Sequence, residues 1–335
     1  MRAADERKAA RKLFLQQVLS EGLVPTPDDI AQEIANLFIT GALEILKHHR
    51  GYDLADKIRS LRTAKDLFEH SHEELICALS EFHNFTRTSS FYERAHRPEH
   101  RKLETKIRKE IYCFSSLAHS LPDQFRKLRS DWEPNNFAER MKAAFREDGL
   151  HDFICGLRNA LHHRSMVEAD WEIRNSGSAA TSHYVFAKDE LVAVGRDAWN
   201  ASGRKYLDNA PPEIDIGILV RDYFDRVREF YDWLLSESDN QAPAIVQDYR
   251  RLVRLHHQNS ARQTYRFLID QFLQRRVNPY DYLPKYLSVS ELLQVDQLAS
   301  NSREQVDLII HFIDEYDACD DDLRSKIYSL FEVRE

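Results

Sequence analysis

The chain is rarely interrupted, and that limits its folds more than any other feature. Nine glycines and ten prolines are all that punctuate 335 residues. The long stretches between them carry apolar residues at helical spacing. A first helix is expected over 4–20, with Ala10, Phe14 and Val18 on one side. A second runs through 26–49, with Thr26 as N-cap, Pro27 at the first helical position, acids in the first turn, and Ile30, Ile34, Leu37, Phe38, Leu43 and Leu46 toward a core. Further helices are expected near 53–60, 71–95, 98–120, 136–146 and 148–164, with Pro98, Pro122 and Pro134 at several of the breaks.

The period then changes. "VEADWEIR" alternates, with Val167, Ala169, Trp171 and Ile173 on one face, "NSGSAATS" reads as a turn, and "HYVFAKDELVAV" returns as a strand. Helical spacing resumes near 195–207 and is strong in "IDIGILVRDYFDRVREFYDWLLSE", with Ile218, Tyr223, Val227, Phe230 and Leu234 as its stripe. Helices at 243–276, 289–299, 303–317 and 321–332 follow, with Asp320–Asp322 capping the last. The expected fold is mainly α: a helical bundle over 1–165, a small β-hairpin insert over 166–194 and a second helical half over 195–335.

Charge and cysteine usage narrow the function classes. The formal net charge of −8 argues against coating nucleic acid by bulk charge, though not against a local basic groove. Cys77, Cys113, Cys155 and Cys319 show no paired spacing, so reduced thiols are expected rather than a disulfide framework or zinc site. The first residues lack the apolar run of a secretory signal, and no stretch approaches the apolar length of a membrane span. A cytoplasmic protein with no membrane partner is therefore expected, and the sequons at Asn84 and Asn200 carry no meaning there. Phosphate-loop, dinucleotide and nucleophile-elbow patterns are absent, and "DEYDACDDDL" lacks calcium-loop spacing.

Two basic stretches stand out. Residues 97–129 hold nine Lys/Arg against four acids, and 250–276 hold seven Arg against one Asp. Each reads either as a phosphate-binding surface or as the solvated face of an ordinary helix, the second with Leu252, Leu255, Phe267 and Phe272 on its apolar side. His256-His257 reads as a surface pair. The stretch 299–335 holds ten acids and four bases, opposite in sign to 250–276. It is either a displaceable cover for that basic helix or, given Leu308, Ile309, Phe312, Ile327, Leu330 and Phe331, a permanent part of the second bundle.

The densest chemistry is "GLRNALHHRSM" at 156–166. At 100° per residue, Phe153, Ile154, Leu157 and Leu161 fall within roughly 60° of Leu150 and make the core stripe. Arg158 lies at its flank, Asn159 and His163 near the opposite side, and His162 between them. A polar cluster facing away from the core is either a solvated cationic helix end beside the helix dipole or a functional site. Adjacent histidines diverge on a helix and no His-x-x-x-His with a carboxylate partner is near, which disfavours a metal site.

Arg158-Asn159-Ala160-Leu161-His162-His163 resembles the signature of the HEPN superfamily: Arg, a polar residue, then His after four to six intervening residues. "WNASGRKYLDNAPPEIDIGILVRDYFDRVREFYDWL", after a hairpin, is similar to uncharacterised prokaryotic proteins with this motif in the same place. The resemblance covers roughly residues 30–235. It implies a HEPN-like helical bundle acting as a metal-independent endoribonuclease without a cofactor, in a toxin or antiviral defence effector. RNA would be the substrate, a homodimer the working form, and an antitoxin or defence-complex protein a further partner. His163 would move protons, Arg158 would stabilise phosphoryl charge, Asn159 would orient one or the other, and His162 and Arg164 would contact substrate. His162 competes with His163 for the catalytic place. An additional polar residue is expected from another helix, with Glu73, Glu74 and Glu81 as the candidates. The alternative is a non-catalytic HEPN-like interaction module in a defence or regulatory complex.

Overall fold

A computed structural model describes the backbone of residues 2–37, 39–163, 169–176, 179–193 and 198–333, and side chains at these positions except 2–5, 39–40, 162–163, 169–170, 172–176 and 179–181. The fold is mainly α with a small β-hairpin. No described helix is long and apolar enough to cross a membrane. The chain forms two compact units, residues 1–55 with 243–335, and residues 56–242. These divide the chain by packing, whereas the boundaries at 165 and 194 follow a change of sequence period.

The first unit holds α1 (Arg2–Glu21), α2 (Asp28–Ala35) and α3 (Ile39–Leu46). The helix expected over 26–49 is thus two, and Phe38, one of its expected core positions, lies outside the described residues. In α1 the stripe is turned from the one expected. Leu15 and Leu19 are buried, while Ala10 and Phe14 are exposed, because the leucines four apart give the longer apolar edge. Leu43 is likewise exposed. Thr26 is not the cap of α2; its hydroxyl donates to Asp248 at 2.6 Å instead.

The same unit continues through α11 (Ala244–Arg275), α12 (Val289–Asp296), α13 (Arg303–Ile313) and α14 (Asp321–Leu330). Asp320 caps α14 as expected, accepting from the Leu323 N–H at 2.9 Å. Arg254 meets Asp317 and Arg266 meets Asp320, so acidic tail and basic helix do pair. The tail also buries Val306, Ile309 and Phe331 with Leu283 and Val295, which is what a permanent part of the unit does. His256 is buried rather than a surface residue, and Phe267 is exposed rather than core-facing.

The second unit holds α4 (Tyr52–Thr86, counted here from Asp56), α5 (Arg97–Arg129), α6 (Phe137–Phe145) and α7 (Leu150–His163). After these come β1 (Ala169–Ser176), β2 (Ala179–Ala187), α8 (Lys188–Ala193), α9 (Ala201–Asn209), β3 (Glu213–Asp215) and α10 (Ile216–Asn240). The two helices expected at 53–60 and 71–95 are one, since nothing between 61 and 70 breaks a helix. Pro122 lies inside α5 rather than ending it. A proline there removes one N–H bond, and the buried residues Ala118, Leu121 and Phe125 on either side hold the helix through it.

β1 and β2 pair antiparallel from Ala169 opposite Phe186 to Ser176 opposite Ala179, and the short β3 adds to β2. The second strand is shorter than expected: "KDELVA" forms α8, with Asp189 and Glu190 favouring a helix start. Trp171 meets Phe91 edge-on with centroids 4.8 Å apart. Val167, the expected first position of the alternating face, lies outside the described residues. In α10, Tyr223, Val227, Phe230 and Leu234 are buried, but Ile218 is 60% exposed because Ile216, Leu219 and Val220 supply the inward edge of the first turn.

A candidate active-site cleft along α7

α7 packs on α5 and α9 through Leu150, Phe153, Ile154 and Leu157, all buried. Phe153 stacks on Trp199 with centroids 5.1 Å apart and planes 11° apart. Gly156 makes that approach possible, because a Cβ there would lie 2.2 Å from the indole. Trp199 in turn fixes its neighbour Asn200, which caps α9 by accepting from the Gly203 N–H at 2.8 Å and donates its amide to Asp152 at 2.7 Å.

The opposite edge of α7 lines a cleft of about 630 Å3, with His151, Asp152, Cys155 and Asn159 on its wall and His119, Arg126 and Arg146 among the other lining residues. The spacing explains the wall: positions 151, 155 and 159 are successive fours on one helix face. His119, Arg126 and Arg146 are exposed, and Arg126 shares an exposed ion pair with Asp123 at 2.6 Å. Such a pair is weak in water and leaves the guanidinium ready to exchange its carboxylate for a phosphate.

The half-buried end of the cleft is chemically quiet. Burial drives the His151 imidazole down to about 4, outweighing the opposing pull of Asp152. Its Nδ1 meets the Tyr223 hydroxyl at 2.8 Å, so the ring is neutral and fixed. Burial likewise lifts the Cys155 thiol to about 12, and Asp152 adds to it. A thiol held protonated beside a neutral imidazole is no nucleophile pair, although Sγ and Nε2 are 3.5 Å apart. Thiol labelling checks this. Exposed Cys77 reacts quickly with iodoacetamide at neutral pH, and the partly exposed Cys155, held protonated, reacts far more slowly in the folded protein. Rapid labelling of Cys155 in the folded protein contradicts the burial argument.

Of the residues singled out in the sequence, Asn159 lines the cleft. Arg158 is half-buried and is not among the lining residues, although its charge reaches the Cys155 thiol. Positions 162 and 163 form the last residues of α7, but their side chains lie outside the described ones, as does all of Arg164. Glu73, Glu74 and Glu81 are not at the cleft, and Glu81 instead pairs with Lys106 at 2.8 Å. The acids that are there, Asp123 and Asp152, had no sequence signal beyond their charge. Among the described residues, no three His, Cys, Asp or Glu side chains gather as a metal set would. No family model, curated protein or solved structure matches this chain.

Proposed function

We propose that the chain is a metal-independent endoribonuclease of the HEPN type, with Arg158, Asn159 and His163 as its reacting group. The observation that carries the reading is the position of Asn159. The middle residue of the motif opens onto the cleft whose lining includes His119, Arg126 and Arg146. Two exposed guanidinium groups and an imidazole beside a polar helix face suit the backbone of single-stranded RNA.

In this reading, His163 takes the proton of a ribose 2′-hydroxyl. The freed oxygen attacks the adjacent phosphorus, the bond to the 5′-oxygen breaks, and that oxygen leaves with a proton from a second acid. The products are a 2′,3′-cyclic phosphate and a 5′-hydroxyl. Histidine suits proton transfer near neutral pH, and the permanently charged fork of Arg158 suits the oxygens on which charge builds. His162 or a histidine of a second copy supplies the acid, and Arg164 holds substrate.

Arg158 and His163 are splayed by about 140° on one helix, so a homodimer that faces two α7 ends completes the site. Light scattering of the purified chain is then expected to give a dimer. A monomer at every concentration removes that element. A cutting enzyme of this kind fits a toxin or antiviral effector held in check by an antitoxin or defence-complex partner.

The same residues tell this reading from a non-catalytic interaction module, which the place of Arg158 outside the cleft lining favours. Asn159→Ala is expected to slow cleavage of single-stranded RNA about ten- to a hundredfold with the melting temperature unchanged. An unchanged rate takes the cleft out of the function.

A further inference from the structure

A second cleft lies in the 56–242 unit, built from the end of α4, the strands β2 and β3, and the start of α10. It encloses about 400 Å3, and its polar lining includes His83, Asn84, Ser182, His183, Asp215 and Arg221. None of these belongs to the α7 motif.

The hydrogen bonds fix what this lining can offer. The Thr86 hydroxyl donates to the His83 carbonyl at 2.8 Å, so its oxygen is left to accept from the Ser182 hydroxyl, with which it is in contact. The Ser182 N–H points at His83 Nδ1 from 3.3 Å. The Ser182 hydroxyl oxygen lies 3.2 Å from the same nitrogen, so Nδ1 is engaged by Ser182 and Nε2 is the ring nitrogen left for a ligand. His83 is therefore held by its Nδ1 edge.

On the other side, both oxygens of Asp215 are engaged. Oδ2 accepts from His183 Nδ1 at 2.5 Å, and Oδ1 accepts from the Ile218 N–H at 3.0 Å as the cap of α10. The one carboxylate among the lining residues is thus tied into the fold. The Arg221 guanidinium is exposed, and the Asn84 amide adds further donors.

The lining is also half apolar. Leu79 and Phe82 come from α4, and Ile218 stands at the cleft 60% exposed. Donors with one permanent cation, set against an apolar wall, match a molecule with an anionic group at one end and a flat ring at the other. The volume exceeds what inorganic phosphate fills and falls within the usual range for small-ligand sites, about 300–1,000 Å3.

We propose that this cleft binds an organic monophosphate of the mononucleotide class. Its phosphate sits on Arg221 and the Nε2 edge of His83, and its ring lies against Leu79 and Ile218. The inference is independent of the ribonuclease reading.

Calorimetric titration of the full chain with 5′-AMP, 5′-UMP and inorganic phosphate tests it. At least one mononucleotide is expected to bind, with inorganic phosphate about tenfold weaker or more. Arg221→Ala weakens the mononucleotide about tenfold, and its melting temperature stays put because the side chain is exposed. Ile218→Ser weakens the mononucleotide and leaves inorganic phosphate unchanged. Asn159→Ala, at the other cleft, changes neither. Three results overturn the proposal: no binding of either mononucleotide up to about 10 mM; binding that survives both Arg221→Ala and Ile218→Ser; or inorganic phosphate that binds as well as the mononucleotides.

Discussion

His163→Ala is expected to lower cleavage of single-stranded RNA by about a hundred- to ten-thousandfold, the usual contribution of a positioned acid–base group. The fold is expected to survive the change. Position 163 lies about 140° around α7 from Leu150 and so away from the apolar stripe. Melting temperature and cleavage rate measured on the same preparation separate lost chemistry from lost structure. The neighbour gives the contrast. If His162→Ala loses the activity and His163→Ala keeps it, the catalytic place moves back by one residue, still on the last turn of α7. If both variants cut RNA at the full rate, the α7 end has no part in the chemistry.

Asp248→Ala is expected to cost about 3–5 kcal/mol of stability, more than any surface change in the chain. Asp248 is 4% exposed and takes four donors. These are the Thr26 N–H at 2.9 Å, the Thr26 hydroxyl at 2.6 Å, His49 Nε2 at 3.3 Å and the Arg251 guanidinium at 3.0 Å. Arg251 keeps Asp28 and the Thr26 carbonyl, but alanine leaves the Thr26 and His49 donors without that partner in a buried place, so the penalty is that of several unmet donors rather than of one bond. Urea unfolding of the full chain reads it, and a midpoint equal to wild type contradicts it.

The same network makes the protein acid-sensitive. Burial lowers the His49 pKa below 6.5 despite Asp248, and Nδ1 must stay unprotonated to accept the Gly51 N–H at 3.0 Å. The Asp248 pKa lies below 3.8 because the bonds from Thr26, Arg251 and His49 outweigh burial. Each group is depressed in the folded state, so each contributes stability above its unfolded value and loses it as pH falls through its folded one. Stability is expected to decline below pH 6.5 through His49 and again below 3.8 through Asp248, and Asp248→Ala flattens the lower step.

These residues also show what sequence can carry. The helices of α7 and α10 were legible because their apolar stripes repeat at helical spacing, and Leu150, Phe153, Ile154 and Leu157 are buried where that spacing puts them. Thr26 reads as a helix cap in its own neighbourhood. It serves Asp248 because the fold brings together residues 222 positions apart. Local pattern contains nothing of that. Ile218 reads as core because it continues a stripe, yet Ile216, Leu219 and Val220 already fill the inward edge. In the candidate site, Asn159 was legible as part of a motif on one helix. The groups beside it were not, since His119 and Arg126 come from α5 and Arg146 follows α6.

The most direct test of the ribonuclease reading is the chemistry of the ends. A 5′-labelled single-stranded RNA is incubated with the purified chain in excess EDTA, and the products are resolved by mass spectrometry. The account predicts fragments ending in a 2′,3′-cyclic phosphate, paired with fragments that begin with a 5′-hydroxyl, and their absence with Arg158→Ala. RNA left intact by wild-type protein under every condition in which it is folded and dimeric contradicts the account, as do fragments bearing a 5′-phosphate and a 3′-hydroxyl.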